Sequence, residues 1–84
     1  MNIEDLSRRA DFSWRLRVLM ALADIRAGEL SAESGICQKT IYNIRAGNHK
    51  PEKAVREKLL LTIEDWSPGV LGMMRAAERR RRAL

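Results

Sequence analysis

Cysteine, histidine and aromatic residues are scarce in this chain. Cys37 is its single cysteine and His49 its single histidine. One cysteine cannot close an internal disulfide, and one of each cannot assemble a Cys/His metal set. One Phe and one Tyr are few for a sheet protein, whereas Ala, Leu, Arg, Glu and Met are plentiful, which predicts an all-α domain. No apolar run approaches the roughly 20 residues that span a bilayer. The opening Met1-Asn2-Ile3-Glu4-Asp5 is acidic and lacks the apolar stretch of a signal peptide. A cytoplasmic protein with no membrane partner is expected. A glycine-rich phosphate loop, a metal-ligand cluster and a nucleophile–base pair are missing too. The expectation is therefore no enzyme, no catalytic residue, no metal and no cofactor.

What is present is one small domain's worth of chain, 84 residues with a net charge of +5. The charge is unevenly spread. Residues 1–36 hold five Arg against six acids, while residues 37–58 hold six basic residues against Glu52 and Glu57. Arg75 and the run Arg79-Arg80-Arg81-Arg82 face only Glu78. A basic middle and end suit a polyanionic partner.

Helical spacing organises the rest. After a short turn or arm over residues 1–10, a first helix is predicted from about Asp11 or Phe12 to Arg26. Its stripe is Phe12, Leu16, Leu19, Met20 and Ala23, widened by Val18, Leu22 and Ile25. It should stop at Ala27-Gly28. A second, short helix fits Glu29 to Ser34, and Gly35 breaks it. A third runs from Gln38 to Ala46 and ends on Gly47. Pro51 opens a fourth with Val55, Leu59, Ile63 and Trp66 on its stripe and Leu60 beside it. Ser67-Pro68 reads as a capping pair for a fifth helix to about Arg82. Residues 1–66 are read as the main domain and 67–84 as a C-terminal helix with a basic tail. Trp66, Val70, Leu71 and Met74 either line a dimer seam or complete the monomer's core.

The segment Gly35–Pro51 says most about function. Ile36, Ile41 and Ile44 point to one side of the third helix, and Gln38, Lys39, Tyr42 and Asn43 to the other. A short helix offering only hydrogen-bonding groups on its open face is suited to reading a surface, and double-stranded DNA is the best candidate. Cys37 stands at the helix start, where a thiol caps poorly but ionises more easily.

In these residues the chain resembles the Cro and lambda-repressor-type (XRE-like) helix-turn-helix family. The landmarks are Leu30 and the small Ser31, Gly35 at the turn, Ile36 after it, Ile41 and Ile44 three apart, the Gly47 stop, Lys50 in the basic loop, and Pro51. The resemblance covers roughly residues 12–64. It departs at Ala27, where the family often has Gln, at Ser31, where Ala is commoner, and at Cys37, where Ser is usual.

The resemblance implies a five-helix, lambda-repressor-like DNA-binding domain. By position, Gln38, Lys39, Tyr42 and Asn43 would contact bases. Cys37, Thr40, Arg45, Asn48, His49 and Lys50 would contact the sugar-phosphate backbone. The expected activity is transcriptional regulation, as a repressor of phage or mobile-element type binding a palindromic operator as a homodimer. Two other readings use the same residues. One is an antitoxin that binds a toxin protein through its C-terminal segment and autoregulates. The other is a DNA-architectural or recombination accessory factor.

Overall fold

The computed structural model describes residues 6–83, with side-chain surroundings for 6–81. Residues 1–5 of the expected arm and the side chain of Arg82 lie outside the described residues. Five helices follow in order: α1 (Phe12–Ala23), α2 (Ala27–Ser34), α3 (Gln38–Arg45), α4 (Lys53–Trp66) and α5 (Val70–Ala83). There is no strand among the described residues. The all-α expectation therefore holds.

Helix ends follow from identifiable local bonds. Helix α1 stops at Ala23, earlier than its apolar spacing predicts. Asp24 takes the left-handed conformation at φ 52°. The Asp24 and Ile25 N–H groups then reach back to the Ala21 and Met20 carbonyls. This folds Ile25 into the core, where a continuing helix would have carried it around the cylinder. Ala27 and Gly28, expected to end α1, instead begin α2. Glu29 fixes that start by accepting the Arg26 N–H at 2.9 Å.

Gly35 ends α2 at φ 77°, its N–H bonded to the Ser31 carbonyl. Gly47 ends α3 at φ 81°, with the Gly47 and Asn48 N–H groups closing on Ile44 and Asn43. Both glycines sit where a Cβ would be strained.

Two further starts differ from expectation. Pro51 lies two residues ahead of α4, buried, and its carbonyl accepts Arg56 Nη1 at 2.6 Å. Ser67 and Pro68 belong to the turn before α5. Glu64 of α4 supplies the cap instead, accepting the Gly69 N–H at 2.8 Å and the Leu71 N–H at 3.2 Å. A carboxylate is the stronger partner for a helix N-terminus.

The core collects Leu16, Leu19, Leu30, Ile41, Ile44, Leu59, Leu60, Ile63 and Met74, all fully buried. Helix α1 packs against α3, α4 and α5, and α2 against α3 and α4. The C-terminal helix is thus part of the one core. Val70, Leu71 and Met74 are interior residues of the single chain, no more than 4% exposed. Of the two roles left open for them they take the monomer's core and drop out of the dimer seam, because a side chain already covered by its own chain has no surface to offer a second copy. Trp66 alone of the four stays open, at 40%. Leu22, placed on the α1 stripe, is also exposed.

Two buried arginines finish the interior. Arg15 is fully buried and gives Nε to the Leu6 carbonyl at 2.9 Å, Nη1 to Glu78 Oε1 at 3.1 Å and Nη2 to the Arg8 carbonyl. Arg56 gives Nε to the Ser7 carbonyl. Burial pushes the Arg15 guanidinium below its ordinary pKa, and its bond to Glu78 opposes that shift. Together the two side chains fasten residues 6–8 onto α1 and α4.

Candidate nucleic-acid interface

Helix α3 is held from below and open above. Ile41 and Ile44 are fully buried against α1 and α2, and Ile36 packs beside them half-buried. Ser34 stiffens the approach by accepting the Ile36 N–H at 3.1 Å. On the outer side Gln38 and Lys39 are exposed, Tyr42 is 52% exposed and Asn43 is half-buried. Gln38 Nε2 donates to the Tyr42 hydroxyl at 3.3 Å, and its amide lies beside Gly28 at the start of α2. The four residues assigned to base contact therefore share one helix face, with Gln38 and Tyr42 already paired on it.

The residues assigned to the DNA backbone are more scattered. Asn48, His49 and Lys50 are exposed in the loop after α3. His49 and Lys50 line a cleft shared with Arg9, Asp11 and Ser13. Thr40 is half-buried in the first turn of α3.

Cys37 is exposed at the helix N-terminus and makes no capping hydrogen bond. Its thiol nonetheless sits below the ordinary value, chiefly because the backbone N–H groups of Lys39 and then Thr40 favour the thiolate. A neutral thiol is a poor acceptor for these groups, whereas an anion is a good one.

Arg45 behaves differently from the loop residues. Its guanidinium lies 5.9 Å from the Tyr42 ring centroid, and its Nε is buried without an acceptor among the described residues. Its carbonyl takes Arg17 Nη1 at 2.7 Å and, more weakly, Ser13 Oγ at 3.5 Å. A cation from α1 thus closes the C-terminal end of α3, where the helix dipole is negative.

Sequence reasoning missed Arg9, Ser13, Arg17 and Arg26 as neighbours of this face. Arg17 carries a usable signal: three residues before Met20, it borders the α1 stripe rather than lying behind it. The other three depend on how segments meet in space. Lys53, at the start of α4, pairs with Glu57 at 3.8 Å.

The described residues contain no cluster of three or more His, Cys, Asp or Glu able to hold a metal. No described helix is long and apolar enough to cross a membrane. The chain matches no family model, no curated protein and no solved structure.

Proposed function

We propose that the chain is a sequence-specific DNA-binding regulator of transcription with a lambda-repressor-like helix-turn-helix formed by α2, the turn at 35–37 and α3. It acts as a repressor of phage or mobile-element type on a palindromic operator, as a homodimer. The carrying observation is the division of α3. Ile41 and Ile44 are fully buried while Gln38, Lys39, Tyr42 and Asn43 share the opposite face.

A major groove about 12 Å wide admits such a helix. Gln38 and Asn43 are suited to adenine edges, and Lys39 to guanine acceptors. Tyr42 packs on a thymine methyl or bonds a phosphate. Asn48, His49 and Lys50, with Arg9 beside them, supply contacts that position the helix and make binding salt-dependent.

The test is selection of bound duplexes from a random pool at two salt concentrations. A recurring inverted repeat is expected, and a pool with no enriched sequence overturns the reading. Sedimentation with and without the selected duplex tests the pairing. A single protomer on operator would remove the dimer from the proposal. The antitoxin alternative gains nothing from the fold, because α5 is packed into the core and is not a separable arm.

A further inference from the structure

The cleft beside the loop at 48–50 has an inner part that contact with a duplex leaves unfilled. Arg9, His49 and Lys50 form an exposed rim. The floor is apolar, built from Phe12, Ile44 and Pro51, all buried. The space measures about 210 Å³. A dry apolar cavity of roughly 150 Å³ takes one benzene molecule, so a single ring with a small polar group fits here. Duplex DNA meets the rim through its phosphates and brings no apolar group to cover the floor.

Arg56 supplies charge from inside. The side chain is only 8% exposed and lines the cleft. Its Nε is taken by the Ser7 carbonyl and its Nη1 by the Pro51 carbonyl at 2.6 Å. Its Nη2 makes no hydrogen bond among the described residues. That nitrogen is not sealed in. Arg45 Nε is the one fully enclosed donor without an acceptor among the described residues, so Arg56 Nη2 opens to the cleft. A guanidinium edge left unbonded in a recess is suited to a carboxylate. Asp11, the acid at the rim, has Arg81 3.6 Å away to offset its charge.

We infer that this cleft binds a small monocarboxylate with a compact apolar body, one ring or a branched aliphatic group. The body covers Phe12 and Pro51, and the carboxylate accepts from Arg56 Nη2. Arg9 and Lys50 add attraction from the rim. The site itself does not depend on DNA binding. Its consequence rests on that reading: His49 and Lys50 serve both the carboxylate and a backbone phosphate, so the two ligands compete. A regulator without a separate effector domain thereby gains a small-molecule input.

Benzoate titrated into the full chain without DNA, followed by amide and aromatic NMR, tests the site. Saturating shifts are expected at Ser13, Gly47 and His49 and at the Arg56 Nε–H, with ring-proton NOEs to Phe12. Acetate and inorganic phosphate lack the body, and benzyl alcohol lacks the charge. Each should need about tenfold more than benzoate, or a larger excess. Arg56 also fastens Ser7 and Pro51, so its role is read from its own signal in wild type. Ser13→Leu, which fills the cleft from a half-buried position, should abolish saturation while thermal melting shows that the variant folds. At constant ionic strength, benzoate at ten times its Kd should weaken binding of the selected duplex about tenfold. Shifts that do not saturate, or NOEs only to residues outside the cleft, overturn the site. Acetate or phosphate binding as tightly as benzoate overturns the ligand class. Saturation with no effect on duplex affinity overturns the competition. A wild-type protein that ignores duplex overturns the DNA reading, and the benzoate titration still decides the site.

Discussion

Arg15 and Arg56 occupy positions that helical spacing assigns to the core. Arg15 follows Phe12 by three and precedes Leu19 by four, and Arg56 precedes Leu59, Leu60 and Ile63 by three, four and seven. That register was legible, but the acceptors were not. They are the Leu6, Ser7, Arg8 and Pro51 carbonyls and Glu78, which lies 63 residues beyond Arg15. A charge at a core position is normally excluded by desolvation, and it is tolerated here because each guanidinium is bonded to carbonyls or a carboxylate. Cys37 offers a cleaner test at this scale. Its lowered pKa means that the thiolate persists to lower pH than in an unperturbed thiol. Alkylation by iodoacetamide, followed against pH, should therefore have its midpoint below about 8.5. Cys37→Ser should abolish labelling. A midpoint at or above the ordinary value would contradict the role of the Lys39 and Thr40 N–H groups.

Among the elements, the α2–turn–α3 unit shows how local chemistry aims a surface. Gly35 holds φ 77° with open space where a Cβ would lie. Replacing it with alanine therefore strains the backbone without a clash. Gly35→Ala should lower unfolding stability by about 1–2 kcal/mol in urea titration while keeping the native circular dichroism. An unchanged midpoint would mean that the turn does not need the left-handed conformation. Asn43 supports the second test here. Its backbone carbonyl accepts the Asn48 N–H, a bond that truncating the side chain leaves intact. Asn43→Ala should thus cost about 1–3 kcal/mol on the selected duplex and little on random DNA, read by titration of both. Equal losses on both duplexes would make Asn43 a positioning residue. Gly35 and Gly47 were readable as stops because their φ values suit glycine. The end of α1 was not readable, because its stop residue is an aspartate. Asp24 enters the left-handed region as Ile25 turns into the core.

The whole molecule depends on α5. Apolar spacing on that helix left a dimer seam and a monomer core equally open, and residues 67–84 read as an appendage. In the fold Val70, Leu71 and Met74 are interior, and Glu78 accepts both Arg15 and Arg8. The basic run is likewise partly engaged. Arg81 stacks on Trp14, 4.2 Å from the ring centroid, and lies 3.6 Å from Asp11. A chain ending at Trp66 should therefore lose cooperative thermal unfolding, because it exposes the α1 face and strips Arg15 of its carboxylate. A truncated chain that still melts in one sharp transition would restore the two-part division. The sequence by itself determined the helical class, the two glycine stops around α3 and the split between its apolar and hydrogen-bonding faces. These follow from backbone preference and a 3.6-residue period, which are local. Only the tertiary structure decided what covers α5, where Arg15 and Arg56 find acceptors, and that Phe12, Pro51 and Arg56 meet in one cleft. Those outcomes depend on which distant segments share space, and periodicity along one helix says which face is apolar but not what will lie against it.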